Sequence, residues 1–206
     1  MTFPDHPYAD VSSYCDDYFS RLARATASVD RAQLKRAAER LREAYRSNAT
    51  VFVCGNGGSA SMSEHLACDH LKGVQTDTAL RPRVVSLVAN VALLTAVAND
   101  LSFDDVFVYP LRTMARAGDV LVTVSASGDS ENVVRAAAWA RDQGVSVIAL
   151  TGFSGGRSGA LAEAHLHVDA DNYGVVEDVH QSIMHILAHY LRQEHMPKDL
   201  VADRRF

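Results

Sequence analysis

From Thr50 onward the chain alternates short, almost uninterrupted apolar runs rich in β-branched residues with stretches of helical periodicity. The runs lie at residues 51–54, 84–88, 119–124 and 145–150, with a shorter one at 165–168. A strand that is apolar at nearly every position must be covered on both faces, and strand–helix alternation supplies that cover. The pattern therefore predicts an α/β fold: a five-stranded parallel sheet between layers of helices. Before it, the first fifty residues read as two helices, the second with Leu34, Ala37, Ala38, Leu41 and Tyr45 on one face. After it, a helix is expected from 175 to about 192, with Val176, Val179, Ile183, Ile186 and Leu187 as its apolar stripe, and the polar tail beyond is expected to be peripheral. A length of 206 residues suits one domain: residues 1–49 as an N-terminal helical extension and 50–196 as the α/β core with its C-terminal helix.

Charge and cysteine content narrow the partners. Twenty Lys and Arg against 25 Asp and Glu leave a net charge of −5, so no general attraction to nucleic acid or an anionic membrane is expected. Cys15, Cys54 and Cys68 are odd in number and lack CxxC spacing, which speaks for a reducing cytoplasm. No stretch approaches the roughly 18 apolar residues of a membrane span, and the first residues do not read as a signal peptide.

Two loops carry phosphate-compatible chemistry. The first strand runs into Gly55-Asn56-Gly57-Gly58-Ser59 and a helix expected near Ala60; the third runs into Ser125-Ala126-Ser127-Gly128-Asp129-Ser130 and a helix at 132–140. Glycines let backbone N–H groups approach an anion, a helix N-terminus adds favourable partial charge, and serine hydroxyls donate further hydrogen bonds. Gly/Ser loops after strands are also ordinary tight turns. A strand order of 2-1-3-4-5 would bring both loops to the switch point between strands one and three, giving one crevice two such walls. Dinucleotide and Walker patterns are absent, because GNGGSA matches only G-x-G and no GK[ST] occurs.

Helical spacing singles out a second group. His65 and Asp69 are four apart, and Glu177, Gln181 and His185 are spaced by four and four, so each helix presents one polar face. Together these faces offer two histidines and two carboxylates, a set suited to zinc or a related divalent ion, although no contiguous motif says that the faces meet. His70, His180 and His189 are expected to be bystanders, and the cysteines simple core residues.

The segments FVCGNGGSASMSEHLACDHLKG, VANDLSFDDVF, SASGDSENV and EDVHQSIMHIL resemble, in order, the phosphoheptose isomerase family of SIS (sugar isomerase) domains. The resemblance implies a homotetramer with active sites at subunit interfaces, converting sedoheptulose 7-phosphate to D-glycero-D-manno-heptose 7-phosphate. It implies that Asn56, Gly57, Gly58 and Ser59 line the sugar-phosphate site, that Ser125, Ala126, Ser127 and Ser130 form a phosphate cup, and that Asn99 and Asp100 contact substrate. Its metal ligands for one Zn2+ or other divalent cation per subunit fall on His65, Asp69, Glu177 and His185, with Asp69 as base and His185 as acid and with Asp69 and Glu177 also touching substrate. Three departures stand out: Asp69 replaces the family's usual glutamate, Glu177 its usual glutamine, and Gly174 an aspartate three residues earlier. A shorter base beside a more anionic site leaves other phosphosugars open as substrates. A non-catalytic module that binds a sugar phosphate or a protein partner is the competing reading.

Overall fold

The computed structural model describes residues 3–206. The predicted alternation is realised as β1 (Thr50–Gly55), β2 (Arg83–Ser86), β3 (Val120–Val124), β4 (Ser146–Thr151) and β5 (Ala164–His167), all parallel in the order β2-β1-β3-β4-β5. The β1 register with β3 runs from Val51 opposite Val120 to Gly55 opposite Val124, so both strands end level at the switch point.

The strands are apolar throughout because both faces are covered. Val51 and Val53 of β1, with Val120, Val122 and Val124 of β3 and Ile148 and Leu150 of β4, join one core. Phe52, Cys54, Leu121 and Val147 point the other way into a second. The first core is closed by α1 (Val11–Ser28), α2 (Arg31–Arg46), α3 (Gly58–Cys68) and α8 (Tyr173–His195). The second is closed by α4 (Val91–Asp100), α5 (Val108–Met114) and α6 (Glu131–Asp142), while α7 (Gly156–Leu161) sits between β4 and β5. Side-chain caps set several helix starts: Asp30 accepts from the N–H groups of Ala32 and Gln33, and Asn172 from that of Val175. The N-terminal helices therefore roof the sheet, with Ala25, Ala37 and Leu41 in the same core as β1 and α8.

Several element boundaries differ from expectation by a few residues, two of them for a clear physical reason. The helix after β1 begins at Gly58, two residues early, because Gly57 turns the chain with φ of +56°. The last helix runs on to His195, since Leu191 and Arg192 are still buried. The tail expected to be peripheral folds back on α8: Arg192 Nη1 donates to the Arg205 carbonyl (2.9 Å) and its guanidinium lies 4.8 Å from the Phe206 ring centroid. Among the described residues no helix is long and apolar enough to cross a membrane.

Candidate active site

The two Gly/Ser loops meet at the carboxyl ends of β1 and β3. A Cβ on Gly55 would stand 2.7 Å from the carbonyl oxygens of both Ser59 and Val124, so glycine is what lets β1, β3 and the first turn of α3 close together. A reciprocal amide pair locks the loops: Asn56 Nδ2 donates to Asn132 Oδ1 (2.9 Å) and Asn132 Nδ2 donates to Asn56 Oδ1 (3.0 Å). Asn132 is buried in the first turn of α6 and was not among the residues expected at the site. Its one signal was an amide side chain directly behind the serine-rich loop.

In that loop Ser125 and Ala126 are buried, and Ser125 shapes the turn by accepting from the Gly128 N–H at its carbonyl (3.0 Å) and its hydroxyl (3.2 Å). Ser127 Oγ accepts from the Asp129 N–H (3.3 Å), and Ser130 stands at the α6 N-terminus without a side-chain capping bond. Part-exposed hydroxyls of Ser127 and Ser130 at the start of a 12-residue helix can donate to an anion there.

The helical-spacing residues come together beyond the far end of α3. His65 lies in its last turn, and Asp69 opens the wider π-helical turn Asp69–Val74 that follows. From α8, His185 Nε2 stands 3.1 Å from His65 Nε2 and 3.6 Å from Asp69 Oδ2, while His65 Nε2 is 3.4 Å from Asp69 Oδ1. Asp69 Oδ2 is buried and lacks a hydrogen-bond partner. Two imidazole nitrogens converging on a carboxylate with a spare buried oxygen fit zinc or a similar divalent cation. Gln181 reaches the same place, its amide 2.9 Å from His185 Nε2, a position the spacing had noted and the resemblance had passed over. Beside the cluster opens a cleft of about 470 Å³ lined in part by Cys68, Asp69, Lys72, His185, His189 and Arg205. That volume is within the range of small-molecule sites.

Three expected site members stand elsewhere. Glu177 is not in the convergent group: it lies eight residues before His185 on α8, and its carboxylate oxygens would be 2.7 and 2.9 Å from a Cβ on Gly58. Helical spacing gives a common stripe but not a common depth, about 12 Å separating the two positions along the axis. Burial, helped by the neighbouring Asp178, raises the Glu177 pKa. Asn99 and Asp100 end α4 on the surface, Asn99 Nδ2 donating to Asp100 Oδ1 (2.8 Å). His70 and His180, expected bystanders, are buried core residues.

The SIS domain family matches residues 13–152. A phosphoheptose isomerase of Mycobacterium tuberculosis (strain ATCC 25177 / H37Ra) is 40% identical over 169 residues, 81% of this chain and 82% of the relative. The chain belongs to the phosphoheptose isomerase family of SIS-domain proteins. The solved phosphoheptose isomerase of Neisseria gonorrhoeae superposes with a TM-score of 0.79 at 30% identity, covering 88% of this chain and 99% of that one. That of Francisella tularensis gives 0.81 at 27% identity, with 89% and 96% covered. Membership of the phosphoheptose isomerase family makes this chain an isomerase.

Proposed function

We propose that this isomerase converts sedoheptulose 7-phosphate to D-glycero-D-manno-heptose 7-phosphate, with its acid–base chemistry at the cluster of His65, Asp69 and His185. The observation that carries the reading is the convergence of these three side chains from two helices, within a fold shared with phosphoheptose isomerases. In it, Ser125, Ala126, Ser127 and Ser130 take the phosphate, and Asn56, Gly57, Gly58 and Ser59 line the sugar. Glu177, held against the first turn of α3, accepts hydrogen bonds from sugar hydroxyls.

Aldose–ketose exchange moves a proton between adjacent carbons through an enediol, and so needs a base at carbon and an acid at oxygen. Asp69 is the base: its carboxylate is part-buried and lines the cleft beside the cluster. His185 serves the oxygen, although its Nε2 is also the atom that faces His65 and Asp69, so proton transfer and ligation compete for one nitrogen. Zn2+ or another divalent cation, one per chain, would be held by His65, Asp69 and His185 and would supply charge stabilisation at the sugar oxygens.

The reading includes a cytoplasmic homotetramer with sites at subunit interfaces. Val91, Leu93, Leu101, Phe103 and Tyr109 are exposed large apolar residues on and beyond α4, and Asn99 and Asp100 are exposed at its end. Across such an interface those two residues, and Glu177 as a further ligand, would serve a neighbour's site. All three cysteines are free thiols: Cys54 is buried as expected of a core residue, but Cys15 and Cys68 are exposed.

Chelation tests the metal directly. Protein as purified is expected to carry about one divalent ion per chain and to lose at least about tenfold in turnover when it is stripped, with recovery on adding zinc. Full turnover of stripped protein would remove the metal from the mechanism.

A further inference from the structure

Arg157, on the short helix α7, was not singled out by any sequence pattern, yet it makes three hydrogen bonds to the serine-rich loop and a fourth to the first turn of α6. Its backbone N–H and its Nε both donate to Asp129 Oδ1 (3.0 and 3.1 Å), and Nη2 donates to the Asp129 carbonyl (2.8 Å). Nη1 donates to Glu131 Oε2 (2.9 Å), in the first turn of α6. The backbones beneath are in contact as well. The Ser158 N–H donates to the Gly128 carbonyl (2.9 Å), a Cβ on Gly128 would stand 2.4 Å from the Gly155 carbonyl oxygen, and one on Gly156 would stand 2.5 Å from that of Ser127. The loop after β4 is therefore a bed on which residues 127–129 lie, and Arg157 is the clamp over it.

Stability does not account for the clamp. The side chains of Arg157, Asp129 and Glu131 are 55%, 49% and 41% exposed, and ion pairs so exposed contribute little to folding. Position and charge do account for it. Asp129 and Glu131 flank Ser130 and follow Ser127, so two carboxylates stand beside the hydroxyls assigned to a phosphate dianion. Left alone they would oppose that ligand. Arg157 offsets their charge and, by bonding both a side chain and a carbonyl of the same residue, also fixes how the loop turns. The linkage runs further: Arg135 Nε donates to the other Glu131 oxygen (3.0 Å) and its guanidinium pairs with Asp104 (3.2 Å) and Asp105 (3.3 Å), just past the Asn99-Asp100 segment.

We propose that Arg157 is a positioning residue for phosphate binding, holding the 125–130 loop in the shape that receives a phosphate monoester and cancelling the carboxylate charge beside it. This rests on the reading of Ser125, Ser127 and Ser130 as the phosphate cup. The test uses the full chain and the variants Arg157→Met, Arg157→Lys and Ser127→Ala. Titration calorimetry gives Kd for inorganic phosphate and for sedoheptulose 7-phosphate, and steady-state assays with thermal melts complete the comparison. Arg157→Met is expected to weaken both ligands by about tenfold and to raise KM in parallel, with kcat within about twofold and the melting midpoint unmoved. Arg157→Lys keeps the charge and loses the fork, so it recovers part of the loss. If Ser127→Ala weakens both ligands and Arg157→Met does not, the clamp is wrong and the cup stands. If neither variant changes either Kd, the cup itself is wrong and the clamp falls with it. A fall in midpoint and kcat with both Kd values unchanged would make Arg157 merely structural and would likewise overturn the proposal.

Discussion

Replacing Asp69 by asparagine is expected to lower turnover of the phosphosugar by about a thousandfold or more, the scale associated with losing a general base that is also a ligand. The substitution is nearly isosteric, and Asp69 sits in a continuous helical path from α3 into the π-helical turn, so the backbone has no reason to move. What changes is chemistry. The amide cannot take a proton, and it removes the one negative charge among His65, Asp69 and His185. Asp69→Glu, which keeps the carboxylate and adds one methylene, is expected to keep turnover within about tenfold of the starting enzyme, because the cleft beside the cluster has room for it. Steady-state kinetics on both variants, with metal content measured on the same samples, separates base from ligand. An Asp69→Asn enzyme within tenfold of normal turnover would remove Asp69 as the base.

Acidification from pH 7 to pH 5 is expected to cost the fold about 4 kcal/mol, from two buried histidines. His70 and His180 are fully buried, and burial pushes each pKa down to about 4. His70 shares one ring nitrogen with the Tyr45 hydroxyl and leaves Nε2 without a partner, while burial outweighs the Thr151 backbone beside the His180 ring. Above about pH 6.5 both are neutral whether the chain is folded or not, and no penalty arises. Between there and pH 4 the unfolded chain takes up protons that the folded one refuses. Stability then falls by about 1.4 kcal/mol per pH unit for each histidine, or roughly 2 kcal/mol each by pH 5. Urea midpoints across this range, for the enzyme and for His180→Leu, are the check: the variant should show about half the slope. A flat profile in the unmodified enzyme would mean that these imidazoles can be protonated in place.

Much of the fold is legible because its strands are apolar on both sides. Val51, Phe52, Val53 and Cys54 could only be a strand covered twice, and order 2-1-3-4-5 then brings Gly55 and Ser125 to one crevice. The cluster of His65, Asp69 and His185 was half legible. Spacing of four places His65 with Asp69 and Gln181 with His185, since one turn brings side chains together, but that His65 meets His185 is a tertiary fact which only the family resemblance anticipated. Glu177, eight residues before His185, shares its helical stripe but stands two turns away, against Gly58. Asn132 and Arg157 were invisible for a related reason. Their partners lie 76 and 28 residues away, and nothing in their local sequence marks an amide or a guanidinium as bonded across the crevice.

The most direct test is to add the purified enzyme to sedoheptulose 7-phosphate in D2O and follow the sugar by NMR. The expected result is an aldose heptose 7-phosphate carrying deuterium at C2, delivered there after Asp69 has exchanged its abstracted proton with solvent. Failure to form any aldose 7-phosphate, with enzyme that holds its metal and binds the sugar phosphate, would contradict the proposed reaction.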